Sequence, residues 1–206
     1  MSMREKEKDF KKQLIADAAY SLLSKIPYES VTVDDVAKAA GCGKGTIYQY
    51  FENKDHVLAY LVYIDLKKLC GEIEAQCVKN PDLQEAIFNY MLLHYNYYLK
   101  SSQIFSSWLR RSLEENMESE WAQAIKEIQE QKLQMMVRVL ERGIKEQSLI
   151  EVDPYHLARL LENIFRDITF SLPDKNGHDE ELGKMLDLVK MVISSGIFIN
   201  KALQKA

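Results

Sequence analysis

Long apolar runs, paired cysteines and chain breakers are what this sequence is short of. Its longest uninterrupted apolar stretch, Val57–Ile64, falls far below the roughly 20 residues needed to cross a bilayer, which excludes a transmembrane protein. The charged start, Met1 to Lys12, lacks the apolar core of a secretory signal, so a cytoplasmic location with no membrane partner is expected. Cys42, Cys70 and Cys77 are the only cysteines. An odd set without a Cys-x-x-Cys pair excludes a disulfide framework and suits a reducing compartment. With only 4 Pro and 8 Gly in 206 residues, turn formers are too few for a many-stranded β protein. An all-α chain is expected.

Catalytic and metal patterns are equally scarce. His56, His94, His156 and His178 are scattered, which speaks against zinc, and the single Asp153-x-x-His156 is half of what a helical di-metal site requires. The run Gly41-Cys42-Gly43-Lys44-Gly45-Thr46 fails as a phosphate loop because Gly45 follows the lysine and Lys38 stands where the first glycine belongs. It fails as a dinucleotide fingerprint because position 46 is Thr and no strand precedes it. No metal, no cofactor and no enzyme activity is expected.

What is present is helical spacing. Phe10, Leu14, Ala18 and Leu22 recur every four residues, widened by Ile15, Ala19 and Leu23, an amphipathic helix that Pro27 closes. Thr32 with Asp35 reads as a helix entry. Val33, Val36, Ala37 and Ala40 then give a short helix one small apolar face, and Gly41 sits where a helix end needs a left-handed residue. In Lys44 to Phe51, Ile47 and Phe51 fall on one side, leaving Thr46, Gln49 and Tyr50 away from it. Asn53 caps a long helix from Lys54. Further helical patterns lie near 83–100, 103–113 and 118–147, and Asp153-Pro154 opens another. A loop over Pro173–Asp179 and a last helix along Leu182–Ile197 complete the chain.

Residues 32–51 thus read helix, glycine turn, short helix, the layout of a helix-turn-helix whose second member offers hydrogen-bonding side chains to the major groove. Residues 1–56 carry 9 basic and 9 acidic side chains, yet Lys38 to Phe51 holds two lysines and no acid, a small positive patch in a chain of net charge −4. The competing class is a helical protein-interaction module without DNA binding. The acid-free, tyrosine-bearing outer face of 44–51 speaks against it.

The run Val31-Thr32-Val33, Val36-Ala37, Ala40-Gly41, Gly45-Thr46-Ile47-Tyr48-Gln49-Tyr50-Phe51 and Asn53-Lys54-Asp55 resembles the tetracycline-repressor-like (TetR) family of bacterial regulators. The resemblance implies about nine helices, a DNA-binding domain over 1–53 and an effector-binding, dimerising body over 54–206. By position it implies that Lys44, Thr46 and Gln49 face bases beside Gly45, while Thr32, Tyr48, Tyr50 and Lys54 hold phosphates. Lys54 also opens a helix whose N–H groups suit a phosphate. Cys42-Gly43 stands where the family commonly has Val-Ser, so a serine contact is missing.

The resemblance further implies a homodimeric repressor on a palindromic operator in double-stranded DNA, released when a small molecule shifts the helix from Lys54. The wide apolar stripes Leu157, Leu161, Ile164 and Ile168, and Met185, Val189, Val192, Ile193 and Gly196, read independently as an interface. The middle of the chain is rich in aromatics and methionine. Tyr90, Met91, His94, Tyr95, Tyr98, Phe105, Trp108, Trp121, Met135 and Phe165 are candidates to line an apolar, adaptable cavity for a small lipophilic effector. Ordinary core packing competes with that role at each.

Overall fold

The computed structural model describes residues 2–114, 120–171 and 179–198. The side chains of Tyr98, Phe105 and Ile168, and the loop expected over 173–178, lie outside the described residues. Among the described residues eight α-helices follow one another: α1 Met3–Leu23, α2 Val33–Ala39, α3 Lys44–Tyr48, α4 Lys54–Ile73, α5 Leu83–Glu114, α6 Glu120–Lys145, α7 Pro154–Ser171 and α8 Asp179–Gly196. A 3-10 turn at Tyr28–Ser30 makes a ninth helical segment, and a π turn at Glu74–Val78 continues α4. The one β feature among the described residues is an isolated bridge between Leu149 and Phe198. The chain divides into two compact units, Met1–Lys68 with Ser101–Ile128, and Leu69–Lys100 with Gln129–Ala206.

In the first unit, α1 begins earlier than its apolar spacing indicates, because Ser2 and Glu5 form a capping box. Its buried face is also rotated. Ile15, Ala16, Ala19 and Leu23 are buried, whereas Phe10 is 65% exposed and Leu14 faces solvent. A strict four-residue row drifts about 40° per step around a helix of 3.6 residues per turn, so it cannot mark one face for long. The small side chains of Ala16 and Ala19 suit close approach, and α1 packs on α2, which packs on α3. Asn53 caps α4, its Oδ1 accepting the His56 N–H at 2.9 Å.

One expected break is absent. The patterns near 83–100 and 103–113 form a single 32-residue helix, α5. The serines at 101 and 102 resemble a joint in sequence. Ser101 is instead buried and donates its hydroxyl to Asp65 Oδ2 at 3.1 Å, which satisfies it without interrupting the helix.

In the second unit α7 opens as expected, Asp153 Oδ1 accepting the His156 N–H at 2.8 Å. Gly143 of α6 is required by packing. A Cβ there would lie 2.4 Å from Leu83 Cδ2 and 2.8 Å from Leu149 Cγ. Alanine gains about 1 kcal/mol of helix propensity over glycine, but overpacking a filled site costs about 1–3 kcal/mol. Gly143→Ala is therefore expected to lower stability by about 1 kcal/mol, read as a reduced urea midpoint; a raised midpoint contradicts the packing argument.

Candidate nucleic-acid interface

Thr32 caps α2: its hydroxyl accepts the Asp35 N–H at 3.2 Å while the Asp35 carboxylate accepts the Thr32 N–H at 2.9 Å. The same hydroxyl donates to Asp35 Oδ2 at 2.6 Å, and these bonds hold the Asp35 carboxyl below its usual range. Gly41 follows with φ +64°, the left-handed geometry that an L side chain takes only with strain. That residue folds α3 back against α2.

α3 is a five-residue helix, too short to stand alone. Ile47 and Phe51 hold it, both buried, with the Phe51 ring centroid 5.4 Å from that of Tyr60 on α4. Anchoring these two turns the opposite side outward. Lys44, Gly45 and Gln49 are exposed, Tyr48 is 49% exposed, and Thr46 and Tyr50 are half-buried. A surface tyrosine that leaves half its area in water on a helix with its core side already filled is what a groove-reading element presents.

Two lysines have partners that spacing does not reveal. Lys44 Nζ lies 3.2 Å from Asp34 of α2, so an acid outside the acid-free stretch reaches this face. An exposed pair of this kind is worth no more than about 1 kcal/mol and yields readily to a phosphate or base. Lys54 differs. Its ammonium donates to the carbonyls of Tyr28 and Val31 at 2.9 and 2.8 Å and sits 4.0 Å from the Tyr28 ring centroid. Burial lowers its pKa, with Asp55 opposing, Arg111 adding and Glu29 opposing. The ammonium expected on a phosphate is engaged inside the unit, where it ties the start of α4 to the segment before α2. Lys54→Met is expected to cost about 1–3 kcal/mol by leaving two carbonyls without this donor; an unchanged thermal midpoint would contradict that.

Beside it, Asp55 receives Arg111 in bidentate fashion, Nε to Oδ1 at 2.8 Å and a terminal nitrogen to Oδ2 at 3.1 Å, and the Tyr28 hydroxyl also donates to it. Partial burial works to raise the Asp55 pKa, but the hydrogen bonds from Arg111 and Tyr28 outweigh it and hold the carboxyl below its usual range. Arg111 is 56 residues away in sequence, and no local signal indicates this pair.

The described candidate effector residues are divided between the two units. Tyr90, Met91, His94 and Phe165 are buried in the second unit, and Tyr95 and Met135 are half-buried there. Trp108 and Trp121 belong to the first unit, where Trp121 packs on Tyr60 and Tyr63 at centroid distances of 4.7 and 5.4 Å under Lys12. The second-unit cluster has a polar centre that spacing does not reveal. Glu162 Oε1 takes the Lys132 ammonium at 3.0 Å and the Tyr90 hydroxyl at 3.0 Å, with His94 Nε2 at 3.7 Å. Burial tends to raise Glu162, but His94 and Lys132 outweigh it and hold it down to about 2. Burial, reinforced by Lys132, pushes His94 down to about 4, so the ring is neutral at pH 7.

The expected interface residues also divide. Leu157, Leu161 and Ile193, expected at a dimer interface, are buried within the single chain, so their apolar area is already covered there. Ile164, Met185 and Val189 are half-buried, and Gly196 and Val192 are exposed. Leu160, which belongs to the apolar stripe of α7, is exposed, and so are Leu188 and Met191 of α8, which the sequence pattern did not single out. Each stripe was wide enough for two faces, and only packing decides which half turns inward. Among the described residues no cluster of three or more His, Cys, Asp or Glu is placed to hold a metal, and no helix is long and apolar enough to cross a membrane.

Residues 15–61 match the family model for bacterial regulatory proteins of the tetR family. The chain is 30% identical over 163 residues to the uncharacterized HTH-type transcriptional regulator YwcC of Bacillus subtilis, covering 70% of this chain and 68% of that protein. It is 25% identical over 192 residues to the fatty acid metabolism regulator protein of the same organism, covering 93% and 98%. The crystal structure of a TetR-family transcriptional regulator from Thermus thermophilus superimposes with a TM-score of 0.70 at 21% identity, covering 88% of this chain and 97% of that one.

Proposed function

Because the chain belongs to the TetR family of transcriptional regulators, whose members are not enzymes, we propose that it is a repressor that binds a palindromic operator as a homodimer and leaves it when a small lipophilic effector binds. Residues 1–53 read the DNA, with Lys44, Thr46 and Gln49 toward bases and Thr32, Tyr48 and Tyr50 toward phosphates. Residues 54–206 dimerise and sense the effector, in the cytoplasm where the operator lies. The observation that carries this reading is the outward face of α3, with Tyr48 in solvent while Ile47 and Phe51 fix the helix from behind.

Exposed Leu160 on α7 and, spaced i, i+3 and i+4 on α8, exposed Leu188, Met191 and Val192 support self-association, since apolar side chains left in water favour burial against a like surface. A lipophilic effector agrees with the aromatic and methionine content of the body, and with the fatty acid metabolism regulator among the relatives. Selection from a random duplex pool tests the proposal. An inverted repeat whose half-sites lie about one helical turn apart is expected, with binding that weakens steeply as salt rises. Failure to enrich any duplex, or enrichment of a lone half-site, overturns it.

A further inference from the structure

The first unit holds a groove of about 520 Å³, within the roughly 300–1,000 Å³ span of small-molecule sites. Its floor is apolar and buried, built from Leu23 of α1, Leu58 of α4, Ile104 of α5 and Tyr28. Its rim carries Lys25, Glu29, Ser106 and Ser107 beside the exposed Ile26 and Pro27. None of these residues belongs to the aromatic cluster around Glu162. We propose that this groove binds a lipophile with an anionic head, its hydrocarbon on the floor and its head at Lys25 and the serine hydroxyls.

Charge selects the head. Among the described residues, the groove lining, the groups bonded to Tyr28 and the Arg111 bonded to Asp55 bring three cations, Lys25, Lys54 and Arg111, against two carboxylates, Glu29 and Asp55. Asp55 is engaged by Arg111. Among the described lining residues Lys25, exposed on the rim, is the cation that can meet an anion. The wall gives such a ligand a route to the DNA face. Tyr28 lines the groove, donates its hydroxyl to Asp55 and accepts Lys54 at its carbonyl, so a displaced Tyr28 strains the entry to α4, which directly follows the α3 segment. That consequence rests on the regulator reading; binding itself does not.

The test uses the full-length protein with a decanoate carrying a terminal diazirine, and mass spectrometric mapping of the photoadducts. Adducts within 23–29, at Leu58 or within 104–107, competed by sodium decanoate and far less by decyltrimethylammonium, are expected. Lys25→Glu should weaken competition about tenfold, and Ser107→Trp should block the groove without touching its buried floor. Adducts confined to 90–94 or 161–165, labelling that decanoate does not compete, equal competition by the cationic amphiphile, or no effect of Lys25→Glu each overturn the proposal. Selection of DNA by the same preparation is scored separately, so sequence-specific binding without groove adducts refutes this inference alone.

Discussion

Tyr48→Ala combined with Gln49→Ala is expected to lower affinity for the selected operator by about a thousandfold or more while leaving helix content unchanged. Each base or phosphate contact is worth about 1–3 kcal/mol, and a two-fold dimer loses every contact twice, so two modest contacts per chain reach that range. Folding should be indifferent, because Tyr48 is 49% exposed and Gln49 is exposed, and α3 is held by Ile47 and Phe51. The single variants separate the roles. Gln49→Ala should relax sequence preference at one position of each half-site, whereas Tyr48→Ala should weaken all duplexes alike and leave the salt dependence nearly unchanged, because the phenol carries no charge. Binding assays on operator and scrambled duplexes at several salt concentrations decide this. Unaltered affinity in the double variant sinks the assignment of α3 as the reading helix.

The parts of this face that were legible in the sequence are those set within a few residues. Thr32 and Asp35 are three apart, Gly41 closes a helix whose small face is spelled by Val36, Ala37 and Ala40, and Ile47 and Phe51 share one side by helical spacing. What was hidden depends on elements brought together from a distance. Lys54 meets carbonyls 26 and 23 residues back, and Arg111 reaches Asp55 across 56 residues. Lysine at a helix start reads as a phosphate ligand until the fold supplies it with other acceptors. Likewise Leu160 and Leu161 are neighbours with opposite fates, one exposed and one buried, and an apolar stripe two faces wide contains nothing to tell them apart. The candidate aromatics were identified by residue type alone, which carries no register, so Trp121 and Tyr90 were grouped although they pack in different units.

Glu162→Ala is expected to have the largest effect on stability of any single change argued here, a loss of about 3–5 kcal/mol, because it leaves the buried Lys132 ammonium without its partner. Glu162→Leu with Lys132→Met should recover most of that loss, since removing both charges removes the desolvation cost of each. The same cluster sets an acid limit. His94 is held to about 4 against an ordinary 6.5, and Glu162 to about 2 against 4.5. Both shifts are downward, so below pH 6.5 the unfolded chain takes up a proton at residue 94 that the folded chain refuses, and below 4.5 the same holds at residue 162. Stability is thus full above about pH 6.5 and falls continuously as the medium is acidified. His94→Asn should remove the part of the decline between pH 6.5 and 4.5 and reduce the part below 4.5, because residue 94 also helps to hold the Glu162 carboxyl down. Urea midpoints measured from pH 7.5 to 4 in both proteins read this directly. A native chain as stable at pH 5 as at pH 7, or a variant that declines as steeply as the parent across that interval, would show that the His94 ring takes up its proton inside the folded core.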